Sequence, residues 1–110
     1  MKRILAILAI LAGPAAAHQA PSGWEYDAEC CNTRDCAPAR AGQIRETRRD
    51  GVLGYAVVVP AGTHHYSRVD VDTFVPMGDP RIRVSGDSDR HVCLTSAGAV
   101  LCIYVPPGGA

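Results

Sequence analysis

The sequence predicts a small, mostly β domain with an irregular N-terminal arm that disulfides staple to a small antiparallel sheet. Three observations carry this. Short β-rich segments recur after residue 42, each closed by Gly, Pro or Asp turn signals. No stretch keeps a long amphipathic helical period. Five cysteines fall in two groups, Cys30, Cys31 and Cys36 in the arm, Cys93 and Cys102 near the C-terminus.

The chain opens MKRILAILAILAGPAAAHQA. A short basic start, an apolar run from Ile4 to Ala12 and the small residues of GPAAA read as a secretory signal peptide over residues 1–17, with Ala15 and Ala17 flanking the cut. The apolar run is much shorter than the ~20 residues that span a bilayer, so no transmembrane segment is expected after cleavage. The mature chain would begin at His18, in a periplasmic or secreted location. Removing Lys2 and Arg3 takes the basic count from 11 to 9 against 11 acidic residues. That balance argues against a nucleic-acid partner. The one basic cluster, Arg45 to Arg49, encloses Glu46 and reads as a solvated strand face.

Residues 18–42, the arm, are rich in Pro, Ala, Gly and short polar residues and carry no period. They are expected to be irregular, with one helical turn around Tyr26 to Cys31. The β domain, residues 43–110, forms one unit with the arm. QIRETRR (43–49) and LGYAVVVP (53–60) are two strands joined by Asp50-Gly51, a hairpin turn signal. AGTHHYS (61–67) is a loop whose histidines are expected to face solvent. RVDVDTFV (68–75) alternates, with Val69, Val71 and Thr73 on one face. PMGDP is a turn, RIRV (81–84) a short strand, SGDSD (85–89) a loop. RHVCLTSAGAVLCIYVPP (90–107) closes the chain as a hairpin.

A domain this small buries about two thirds of its unfolded surface and gains from crosslinks, which an exported chain can form. Structural crosslinking is therefore the expected use of the cysteines. A two-residue turn at Ala97-Gly98 sets Cys93 directly opposite Cys102, where the two can bond. With a turn one residue longer, each can reach the arm instead. Adjacent Cys30 and Cys31 strain a bond to each other, so one is expected to close a loop to Cys36 and the other to tie the arm to the sheet. One cysteine is left over, and a dimer through it is possible by count. A zinc cluster lacks a second paired spacing, and no C-x-x-C opens a helix.

Two histidines are candidate metal ligands. An N-terminal His18 would offer its α-amine and imidazole as a chelate for Cu(II). His91, two residues before Cys93 and on the same strand face, is available as a further ligand, although a satisfied histidine fits its strand position better. Asp79, Asp87 and Asp89 sit among turn glycines, and DSD lacks the glycine and glutamate of a calcium loop. Trp24 and Tyr26 are expected to pack over the disulfides. No catalytic set stands out.

W-x-Y-x3-CC-x4-C-x-P (Trp24 to Pro38), PAGTHH (60–65), DPRIRVSGDSDRHVC (79–93) and LCIYVPPGG (101–109) together resemble a family of small secreted bacterial proteins of unknown function. The resemblance implies an exported, cysteine-stapled domain and lends no catalytic residues. The expected role is a non-enzymatic binding or envelope-associated module with a protein or envelope partner. Alternatives are a periplasmic copper-binding protein using His18, and a small secreted enzyme or inhibitor.

Overall fold

The structure is a computed structural model, and it describes residues 19–31 and 35–109. Among the described residues seven strands form two sheets: β1 (Cys36–Pro38), β2 (Ile44–Arg49), β3 (Val52–Val59), β4 (Val71–Pro76), β5 (Ile82–Val84), β6 (His91–Leu94) and β7 (Val100–Val105). One sheet runs β2-β3-β4, the other β1-β6-β7-β5. A 3₁₀ turn, Pro107–Gly109, follows β7.

The β2–β3 hairpin forms as the sequence predicts. Asp50 and Gly51 take φ of 51° and 78°, the doubly left-handed turn whose twist matches the strands. It sets Ile44 against Val57 and Arg49 against Val52. β4 then pairs antiparallel with β3, placing Val75 beside Tyr55 and Val71 beside Val59. Alternation puts Ile44, Tyr55, Val57, Val59, Val71 and Val75 on one face. They meet Val92, Leu94, Val100, Ile103 and Val105 of the other sheet in one apolar cluster. Val69, expected on the same face as Val71, precedes the strand and is exposed.

β6 and β7 are buried along nearly their whole length, because each has a covered surface on both sides. Val92, Leu94, Ile103 and Val105 face the first sheet, while His91, Cys93, Cys102 and Tyr104 lie under the arm. The hairpin turn is one residue longer than the two-residue reading. Thr95 N–H donates to the Ala99 carbonyl and Gly98 N–H to the Thr95 carbonyl, with Gly98 at φ 87°. Leu94 pairs with Val100, yet Cys93 pairs with Cys102, so Leu101 is an extra residue in β7. This bulge turns Leu101 and Cys102 together toward the arm. Without it Cys102 would share the core face of Val100.

The mostly β, antiparallel class is as expected. Among the described residues the strands divide between two sheets, and one pair departs from the antiparallel rule: β5 runs parallel to β7. The chain reaches β5 by crossing from the other sheet, so no hairpin imposes an antiparallel return. The arm is also less irregular than expected. Its residues 36–38 are β1, an edge strand on β6. Gln19 and Glu25 form an isolated bridge across a turn in which Gly23 N–H donates to the Ala20 carbonyl. The expected helical turn is present, with the Cys30 and Cys31 amides both donating to the Asp27 carbonyl.

Candidate functional site

The arm-facing side of β6–β7 holds the densest chemistry among the described residues. Alternation along β6 points His91 and Cys93 outward, and the β7 bulge adds Cys102 and Tyr104. The arm lays Trp24, Tyr26, Cys30 and Cys31 over them. The loop before β6 contributes Asp87.

Disulfides fix this arrangement. Cys30 bonds Cys102 and Cys36 bonds Cys93. Among the described cysteines Cys31 stands outside both bonds, and it is fully buried. The Cys93–Cys102 bond that a two-residue turn allows is not formed; with the longer turn each of the two reaches the arm, as the alternative had it, and only the loop closure onto Cys36 is corrected. Cys93 and Cys102 do face each other, but β1 adds a third strand that sets Cys36 opposite Cys93 on its other side. The bulge leaves Cys102 pointing at the arm, where Cys30 meets it. A bond from Cys31 to a second chain would first require this buried cluster to open.

His91 is the hub. Its Nε2–H donates to Asp87 Oδ1 at 2.7 Å, since a carboxylate can only accept. In the neutral ring Nδ1 then accepts the Tyr26 phenol at 2.8 Å. Asp87 also accepts from Ser22 Oγ at 2.7 Å and Trp24 Nε1 at 2.9 Å through Oδ2, and from the Asp89 amide through Oδ1. Burial alone would raise the Asp87 carboxyl. The hydrogen bonds from His91, Ser22, the Asp89 amide and Trp24 outweigh it and hold the group well below the usual carboxylate range. Burial, reinforced by Cys31, Asp87 and Tyr104, pushes the Tyr26 phenol well above its ordinary value.

Trp24 packs edge-on against Tyr26, His91 and Tyr104, at ring-centroid distances of 4.8, 5.2 and 5.1 Å. Its ring lies so close over Gly86 that a Cβ there would collide with it. The Tyr104 hydroxyl donates to Asp27 Oδ2 at 2.9 Å and accepts the Asp27 amide at 3.0 Å. Burial pushes that phenol up to about 12. Arg83 on β5 closes the rim by reaching Asp27 and Glu29 at 3.3 and 2.9 Å.

The remaining candidates lie apart. His18 falls outside the described residues. His91 is brought to the site, but both ring nitrogens serve protein partners, so a metal would have to displace Tyr26 or Asp87. Among the described residues no three His, Cys, Asp or Glu side chains gather as a metal site. Asp79, Asp87 and Asp89 are turn residues: Asp79 accepts the Arg81 amide and Asp87 the Asp89 amide. The solvent-facing expectation for the loop histidines fails at His64, which is buried. Its Nδ1 accepts the Tyr66 amide at 3.1 Å, so Nε2–H donates to the Val92 carbonyl at 3.1 Å. A pattern reading had no cue for this, because the contact joins a loop to a strand 28 residues on. Trp24 and Tyr26 pack over the disulfides as expected; the roles of Tyr104 and Asp87 were missed. The i,i+4 spacing of Asp87 and His91 was the available signal.

Among the described residues no helix is long and apolar enough to cross a membrane. The two structural disulfides point to an oxidising environment outside the cytoplasm. No family model, curated protein or solved structure matches the chain.

Proposed function

We propose that the protein is an exported, disulfide-stapled binding module that presents a rigid surface to a protein or envelope partner and performs no catalysis. The observation that carries this reading is the sealed state of its most enzyme-like feature. An acid, an imidazole and a hydroxyl in hydrogen-bonded series is the order that activates nucleophiles in hydrolases. Here the hydroxyl belongs to Tyr26, whose side chain is closed in beneath Trp24, leaving the residue 5 % exposed. A raised phenol in a dry site is a poor nucleophile, and the series is better understood as a lock that orients the arm. Periplasmic or secreted residence follows from the expected signal peptide together with the disulfides.

The surface offered is the outer face of β2–β3–β4. Val52 and Val58 stand exposed there, and the Arg49 guanidinium lies over the Phe74 ring at 5.2 Å. Such a small apolar patch edged by arginine suits a protein partner. The test is site-specific photo-crosslinking from Val58 in the exporting cell, with Thr95 in the β6–β7 turn as the control position. One discrete partner band from Val58 and none from Thr95 is expected. No band from Val58, or turnover of a substrate that Tyr26→Phe abolishes while leaving the fold intact, overturns the reading. Retention of one Cu(II) by a mature chain starting at His18 would favour the copper-binding alternative.

A further inference from the structure

Strand register places three cysteines in a single row. Cys36 on β1 is directly opposite Cys93 on β6, and Cys93 is directly opposite Cys102 on β7. All three belong to the arm-facing cluster, with Cys30 and Cys31 above them. Directly opposed residues on one sheet face hold their Cβ atoms about 4.5–5.5 Å apart, so Cys93 has a bonding neighbour on each side. It bonds Cys36, and Cys102 bonds Cys30 instead. Cys31 lies at the Cys36 end of the row. The Cys36 and Asp35 amides point at its sulfur, and the Cys36 sulfur is 3.6 Å from the carbonyl oxygen of Cys30, one residue before Cys31.

We propose that Cys31 is an internal nucleophile that rearranges both disulfides along this row and releases the arm without any net oxidation or reduction. In the first step the Cys31 thiolate attacks Cys36 Sγ. A Cys31–Cys36 bond forms, the Cys36–Cys93 bond breaks, and Cys93 leaves as the thiolate. In the second step Cys93 attacks Cys102 Sγ. A Cys93–Cys102 bond forms, the Cys30–Cys102 bond breaks, and Cys30 leaves, taking up the proton that Cys31 gave away. Two disulfides and one thiol are present before and after. The starting form ties the arm to the sheet twice. The product carries one bond inside the arm and one inside the β6–β7 hairpin, and no covalent link between them. Trp24 and Tyr26 can then lift away from His91 and Tyr104, exposing an aromatic face that the stapled form hides.

Burial pushes the Cys31 thiol up against the two amides that favour its thiolate. The stapled form is therefore long-lived at neutral pH and the exchange speeds up in alkali. Below the thiol pKa the thiolate fraction, and with it the rate, climbs about tenfold per pH unit.

Trypsin reads the outcome directly. It cuts after Arg34, Arg40 and Arg90, so Cys30 and Cys31 share one peptide, Cys36 sits in 35–40, and Cys93 and Cys102 share 91–110. Oxidised protein is incubated at pH 7, 8 and 9 without added thiol, unfolded in acidic guanidinium so that the buried thiol is reached, blocked there with N-ethylmaleimide, digested unreduced and analysed by mass spectrometry. At time zero the three peptides should be joined, with the label on Cys31. Over minutes to hours, 91–110 should separate with an internal disulfide, the label should move to Cys30, and Trp24 fluorescence should shift. Cys31→Ala and Cys31→Ser should both keep the three peptides joined. A wild type that keeps them joined at pH 9, or a Cys31→Ala protein that frees 91–110 as fast as wild type, overturns the proposal.

Discussion

The two disulfides are nested, which sets how much each contributes. Cys36 and Cys93 are 57 residues apart and Cys30 and Cys102 are 72 apart. Closing the inner loop restricts the unfolded chain by about 4 kcal/mol; the outer bond then closes only a ring of roughly 15 residues and adds about 3 kcal/mol. A small domain has about 5–15 kcal/mol in total. Replacing one pair, Cys30→Ala with Cys102→Ala, should thus leave a folded protein weaker by about 3 kcal/mol. Removing both pairs should leave it unfolded or close to it. Urea unfolding followed by Trp24 fluorescence and far-ultraviolet circular dichroism measures this. With a slope of about 1 kcal/mol/M for a chain this size, the single-pair variant's midpoint should fall by about 2–3 M. A shift under about 0.5 M, or a reduced protein that unfolds at the same urea concentration as the oxidised one, would refute the reasoning.

Other consequences are local. His64 is held neutral by the Tyr66 amide, and its imidazole is pushed below the ordinary 6.5 first by burial, then by stacked His65, against the pull of its Val92 bond and Asp35. A depressed histidine contributes stability in full above its unfolded pKa and loses it as pH falls toward the folded value. Melting temperature should therefore drop between pH 7 and 5, and by less in His64→Gln. Tyr26→Phe removes the donor to His91 Nδ1 and should cost about 1–2 kcal/mol in urea unfolding, while an unchanged midpoint would mean that the phenol carries no weight. Gly86→Ala drives a methyl into the Trp24 ring; a destabilisation of about 1–3 kcal/mol with altered Trp24 emission is expected.

Local signals were legible where local chemistry decides. Asp50-Gly51 announced its turn, and the runs at 53–60 and 90–107 announced their strands, because turn geometry and alternation act over a few residues. The pairing of Cys93 with Cys102 was read correctly, for a reason the sequence hides. The longer turn and the Leu101 bulge offset each other, restoring the register that a two-residue turn would have given. Connectivity was not legible, since it depends on β1 docking beside β6, and three arm residues give almost no strand signal. The second sheet and the parallel β5 were hidden for a related reason: no pattern in residues 77–81 states to which sheet the chain crosses. Asp87, His91 and Tyr26 were noticed one at a time, as turn, strand and packing residues. Only the fold brings residues 65 positions apart within hydrogen-bonding distance.

The central claim is that the arm is bonded to the sheet and not to itself. The direct measurement is an unreduced tryptic map of freshly exported protein, blocked in acid. Joined peptides containing Cys30, Cys36 and the Cys93–Cys102 segment are predicted. A separate 91–110 peptide with its own internal disulfide would contradict it.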